Sequence, residues 1–150
     1  VGYCTLYGDM NGGLAVIGDL YKTSIFNICN WLDSESSIEA RKNYKLPFNS
    51  EVIGGKILKK PPSAELGPNQ LDTDSIPPYE KLDKILRNII EDKDDINQLV
   101  AKGYDKDLII KIIKLIKKAE FKRKQAPPIL KLSKQSLGND WRIPIAISKI

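Results

Sequence analysis

Between Lys60 and Tyr79 the chain reads KPPSAELGPNQLDTDSIPPY, with five prolines among acids, hydroxyl residues and amides. Proline fixes φ and lacks an N–H, so this stretch can hold neither a regular helix nor a central strand. A long irregular stretch inside a compact chain is a functional loop or a linker between two halves, and composition alone leaves both open. A packed core must therefore come from the segments on either side.

On the C-terminal side the periodicity is helical. Leu82, Ile85, Leu86, Ile89 and Ile90 share one face of a helix expected over Tyr79–Glu91. A short helix is expected over Asp95–Lys102, with Gly103 ending it. Asp105 then caps a longer helix through Leu108, Ile109, Ile112, Leu115, Ile116 and Ala119, which stops before Pro127-Pro128.

On the N-terminal side Val1–Tyr7 is β-branched and aromatic and reads as a strand, ended by the turn residues Gly8-Asp9 and Asn11-Gly12-Gly13. Leu14–Ile17 reads as a second short strand. A helix capped by Asp19 is expected to carry Leu20, Ile25, Ile28, Cys29 and Leu32. Asp33–Ser50 has no clean period and reads as an inserted loop, followed by a short helix over Ser50–Lys59 that Gly54-Gly55 weakens. A chain that starts at Val1, in the middle of an expected strand, reads as a fragment or processed piece.

With 150 residues the chain suits one domain or a large part of one, and an area burial of roughly 70 % makes a real core possible. Apolar residues make up 41 % and charged ones 29 %, too apolar for disorder. No stretch approaches a membrane span and no signal peptide opens the chain, so a cytoplasmic setting is expected. Cys4 and Cys29, the only cysteines, read as two buried thiols rather than a disulfide or zinc site.

There is no histidine. Every Ser-His-Asp or Cys-His nucleophile and every His-ligated metal site is thereby excluded from this chain. A net charge of +5 suits an anionic partner such as a nucleotide, nucleic acid or acidic surface. Lys111, Lys114, Lys118 and Lys122 recur at helical spacing, a solvated face by default and a phosphate grip if held beside a cleft. That stripe also supports a rival reading, a small basic helical nucleic-acid-binding module. Lys22 sits in the first turn of a helix, where a cation is electrostatically unusual for structure and suited to phosphate. No complete phosphate-cradling glycine loop is present. Asp72 and Asp74, with Glu65, form either a solvated acidic loop or a site for magnesium or a ribose hydroxyl. Trp31 and Trp141 read as core or contact residues rather than stacking platforms.

The strings VGYCTLYGDMNGGLAVIGDLYKT, KKPPSAELGPNQLDTDSIPPYEKLDKIL, AEFKRKQAPPILKLS and NDWRIPI resemble, in order, the C-terminal part of glutamine-dependent NAD⁺ synthetases. The resemblance spans nearly the whole chain except Asp33–Ser50. It implies an α/β fold of the Rossmann-like adenine nucleotide α-hydrolase type, of which this part is mostly α with one or two short strands. It implies ATP-dependent amidation of deamido-NAD⁺ through an adenylate, releasing AMP and pyrophosphate, with ammonia from glutamine delivered by a glutaminase domain. Residue by residue, it implies ATP contacts for Lys22 and Ser63 and a deamido-NAD⁺ contact for Lys122. Lys60–Tyr79 resembles the family's mobile flap.

Phe121 stands where the ammonia-using branch has a histidine, Leu6 where it has a lysine and Gly13 where it has an aspartate, so the pattern agrees with the glutamine-using branch. By the same resemblance the pyrophosphatase loop, the Mg²⁺ ligands and the glutaminase domain lie upstream of Val1. No catalytic or metal residue is therefore assigned here, and the segment alone is expected to be inactive. A homo-oligomer is expected, with neither nucleic acid nor membrane as partner.

Overall fold

A computed structural model describes residues 1–8, 10–63, 71–138 and 140–144. The chain divides into two compact units, one of residues 1–20 and 84–150, the other of residues 21–83. Among the described residues the secondary structure is helical, with a single parallel bridge between Ala15 and Ile129. None of the described helices is long and apolar enough to cross a membrane.

The unit of residues 21–83 contains α1 (Lys22–Leu32), α2 (Ile38–Asn43), α3 (Gly55–Lys59) and the start of α4 (Tyr79–Ile90). Single 3-10 turns lie at Glu35–Ser37 and Asp72–Asp74. The stretch expected to be a loop from Asp33 to Ser50 thus holds a turn and a two-turn helix. The buried Arg41 explains why: its guanidinium donates to the carbonyls of Pro47 (3.0 Å) and Ser50 (2.8 Å), drawing the chain after α2 back onto it. Asp33 does the same for the entry to α3, accepting the N–H groups of Val52 (2.6 Å), Ile53 (3.1 Å) and Gly54 (2.8 Å). Burial acts to raise the Asp33 pKa, but these donors and the Arg41 charge outweigh it and hold the carboxyl below its ordinary value.

The other unit holds the remainder of α4, with α5 (Ile96–Ala101), α6 (Lys106–Lys118) and α7 (Glu120–Gln125). These helices follow the periodicity and caps. Asp95 and Gln98 form a capping box, Asp105 accepts from the Leu108 N–H (2.8 Å), and Gly103 follows α5 at φ +87°. α5 packs on α6, with Leu99, Ile109, Ile112 and Ile116 buried. The long helix breaks at Ala119, beyond which α7 begins with the fully buried Glu120. Arg123 pairs with that carboxylate and lies 5.0 Å from the Trp141 ring, while Arg142 approaches it at 3.9 Å.

The expected strands are corrected. Val1–Tyr7 is irregular or turn backbone, with the Gly2 and Cys4 carbonyls accepting from the Lys122 ammonium (2.8 and 2.6 Å). Leu14–Ile17 reduces to the bridge at Ala15, whose N–H donates to the Pro128 carbonyl (2.9 Å).

Asp19 caps no helix. α1 starts at Lys22, behind a Tyr21 cap that makes no side-chain bond. The buried Asp19 carboxylate instead accepts the N–H groups of Leu132, Ser133 and Leu137, each at 2.7 Å. Burial by itself pushes its pKa up. The Leu132, Leu137 and Ser133 donors outweigh that and keep it below the ordinary carboxylate value. A depressed folded-state pKa contributes stability above the unfolded value that is lost as pH falls through the folded one. Asp19→Asn should therefore cost about 3 kcal/mol at neutral pH, with the deficit shrinking below about pH 4. Urea titrations of both chains across pH test this, and a deficit that does not change with pH would contradict it.

Candidate functional site

Lys22 is the first residue of α1 and is exposed. Its ammonium lies 5.9 Å from the centroid of Phe26, one turn along, and 5.8 Å from that of Tyr79, within cation–π range of both. The two rings meet edge to face, with centroids 5.9 Å apart and planes at 84°. The Thr23 N–H in the same first turn donates to the buried Asp83 (2.8 Å), so a carboxylate balances the positive end of the helix beside the lysine.

Tyr79 carries the arrangement into the proline-dense stretch. Its hydroxyl donates to Asp72, which is buried, and the Asp72 N–H donates to the Pro62 carbonyl (3.2 Å). Ser63, half-buried, follows directly. Lys22 and Ser63 thus belong to one connected cluster within one unit, joined through Tyr79, Asp72 and Pro62. A cation backed by two rings and a hydroxyl residue after two prolines suit a phosphate-bearing ligand. Tyr79 and Asp83 were not anticipated from sequence. A tyrosine after Pro77-Pro78 and an acid between the apolar Leu82 and Ile85 were the available signals.

The acidic pair is corrected. Asp72 is engaged by Tyr79, and Asp74 accepts the Leu71 N–H (2.9 Å), closing the turn between them. Glu65 lies outside the described residues, as does the middle of the Lys60–Tyr79 segment. Among the described residues no three His, Cys, Asp or Glu side chains are grouped to hold a metal ion. The described residues alone do not make up a magnesium site.

Lys122 lies in the other unit. It is half-buried on α7, with two of its three N–H groups given to the Gly2 and Cys4 carbonyls. The chain comes close enough for this because residue 2 is glycine. Its φ is +77°, and a Cβ there would fall 2.5 Å from that of Ala119. Lys111, Lys114 and Lys118 instead line a hollow of about 420 Å³ on α6 with Asp107, Ile110 and Leu115, so Lys122 does not extend their stripe. Cys4 and Cys29 are free and half-buried rather than buried, and the Cys4 Sγ is 3.2 Å from the Met10 Sδ. Trp31 is exposed.

If the Lys122 ammonium anchors the first residues, Lys122→Met should speed amide exchange at Tyr3–Leu6 by about tenfold, the effect of freeing one opening segment by roughly 1.4 kcal/mol. Hydrogen exchange followed by mass spectrometry measures it, and unchanged protection would show the anchor lies elsewhere.

Comparison with known proteins gives a consistent answer. The family model described as NAD synthase matches residues 1–126. The chain is 47 % identical over 146 residues to the glutamine-dependent NAD(+) synthetase of Synechocystis sp., covering 97 % of this chain and 24 % of that protein. It is 44 % identical over 144 residues to that of Thermotoga maritima, covering 96 % of this chain and 23 % of the relative. A solved glutamine-dependent NAD+ synthetase from Acinetobacter baumannii, in complex with ADP, is 32 % identical and covers 96 % of this chain and 22 % of that one, with a TM-score of 0.46. The chain spans about a quarter of the length of the curated relatives it matches.

Proposed function

The chain belongs to the NAD synthase family, and from that premise we propose that it is the C-terminal part of the synthetase domain of a glutamine-dependent NAD⁺ synthetase. The complete protein would use ATP to convert deamido-NAD⁺ to NAD⁺. The observation that carries the reading is identity approaching one half along 97 % of the chain to proteins of that name. The links from Lys22 through Tyr79 and Asp72 to Pro62, the residue before Ser63, support it by tying a positioned cation to the segment that carries the hydroxyl residue.

In the first half-reaction an oxygen of the nicotinate carboxylate bonds to the α-phosphorus of ATP, and pyrophosphate leaves with the electron pair of the broken P–O bond. In the second, ammonia attacks the activated carbonyl carbon, AMP leaves and the surplus proton is lost, giving the amide. A carboxylate is already a nucleophile, so no histidine base is required. The difficulty is charge crowding at phosphorus, which preorganised cations relieve. Lys22 and Ser63 bind ATP in this reading. Lys122 contacts deamido-NAD⁺ through the N–H that Gly2 and Cys4 leave unused. The described residues do not hold Mg²⁺, and no step on this chain runs through it. Ammonia would come from glutamine through a glutaminase domain outside this sequence.

The fold of the complete domain would be α/β and Rossmann-like, with this chain supplying mostly helices. The protein would work in the cytoplasm as a homo-oligomer. With the complete protein, Lys22→Ala should lower kcat/KM for ATP about 100-fold and Lys122→Ala that for deamido-NAD⁺ similarly, as loss of a charge-assisted contact predicts. NAD⁺, AMP and pyrophosphate are the readouts; near-normal turnover in both variants would refute the assignment. Limited proteolysis should cut residues 60–79 without ligands and spare them with ATP plus deamido-NAD⁺. Cutting that ignores the ligands would remove the flap from the reading.

A further inference from the structure

Lys22 has an exposed head on a flexible stem, and such a side chain samples many rotamers unless its surroundings restrict it. Here it is restricted by the Phe26 and Tyr79 rings. Phe26 belongs to the same helix and would be present whatever the loop did. Tyr79 comes from the far end of the proline-dense stretch, and its hydroxyl is bonded to the buried Asp72. Among the described residues, the other Asp72 carboxylate oxygen, Oδ1, has no hydrogen-bond partner. Among the described residues the tyrosine hydroxyl is thus the donor that satisfies that buried carboxylate, and losing a donor to a buried charged group costs more than one ordinary hydrogen bond. Asp72 in turn holds the Pro62 carbonyl through its own N–H (3.2 Å).

We propose that Tyr79 is a positioning residue for ATP recognition: its hydroxyl, through Asp72, ties it to the Pro62-Ser63 segment while its ring fixes the Lys22 ammonium, so that Lys22 and Ser63 meet the nucleotide as one preset pair. The inference rests on the assignment of ATP to Lys22 and Ser63 made above, and adds a residue and a mechanism to it. Preset groups lose less freedom when the ligand arrives, so the benefit is expected in binding of ATP rather than in the chemical step.

The test is steady-state kinetics of the complete protein with ATP varied, for Tyr79→Phe, Lys22→Ala and the double variant. Tyr79→Phe keeps the ring and removes only the hydroxyl. It should raise the KM for ATP by about tenfold, the change expected on losing one hydrogen bond to a charged group, with kcat and the KM for deamido-NAD⁺ within about twofold. In the Lys22→Ala background the same substitution should move the ATP KM by less than about twofold, because the residue it acts through is gone. An equal effect in both backgrounds overturns the proposal, as does a fall in kcat with an unchanged ATP KM, which a purely structural role would give. A silent Tyr79→Phe beside a Lys22→Ala that does impair ATP use overturns this inference and leaves the functional reading intact. If Lys22→Ala is itself silent toward ATP, the assignment of Lys22 has failed and the inference falls with it. Should Tyr79→Phe not fold, the pair Asp72→Asn and Asp72→Ala decides. The amide oxygen still accepts from Tyr79, so Asn should stay within about threefold of the parent in ATP KM while Ala loses about tenfold. Equal behaviour of the two is the overturning result.

Discussion

A carboxylate removed from water needs donors for its oxygens, and at Asp19 the donors are the backbone N–H groups of Leu132, Ser133 and Leu137. Those residues belong to no helix or strand, so their N–H groups have no ladder of their own to join. One side chain therefore supplies what a neighbouring strand would otherwise provide, and joins residues more than a hundred positions apart in sequence. Asp33 repeats the device over Val52, Ile53 and Gly54. In each unit an irregular segment takes its shape from a single acid.

Positive charge is organised by the same logic in reverse. Lys111, Lys114 and Lys118 are exposed along α6 and line a hollow on it. Lys22 lies within cation–π range of two rings, and Lys122 is bonded to two carbonyls. A cation whose position is fixed before a ligand arrives can oppose phosphoryl charge at little reorganisation cost, whereas a solvated one must first give up its water.

α7 bears the second of these lysines, and its setting rests on buried ions. Glu120 has no exposed surface, pairs with Arg123 and is approached by Arg142, while Trp141 covers the Arg123 guanidinium. Separating one partner from such a group leaves an uncompensated charge, so the first turn of α7 has little freedom to tilt. The orientation of Lys122 toward Gly2 and Cys4 follows from a helix fixed in this way and from a glycine that lets the chain approach.

α4, α5 and α6 were legible in the sequence because a helix satisfies its own hydrogen bonds and announces itself through apolar spacing and local caps such as Asp95 and Asp105. Pro61, Pro62, Pro77 and Pro78 likewise argue by covalent geometry against a regular helix or central strand, and the described residues between Lys60 and Pro78 hold no more than the single 3-10 turn at Asp72–Asp74. The resemblance to a family rested on strings of residues and needed no coordinates. The strand expected over Val1–Tyr7 and the cap expected of Asp19 went otherwise because each depended on a distant partner, Lys122 and the Leu132–Leu137 segment. The loop expected over Asp33–Ser50 went otherwise because the buried Arg41 guanidinium collects the Pro47 and Ser50 carbonyls, which no periodicity announces. The link from Lys22 through Tyr79 and Asp72 to Ser63 was hidden for the same reason. Composition and spacing settled which elements the chain could form from neighbours a few residues apart. Which carbonyl meets which ammonium, and which acid collects which N–H, was decided by tertiary structure, since polar groups left without water take whichever partner the folded chain brings within hydrogen-bond reach.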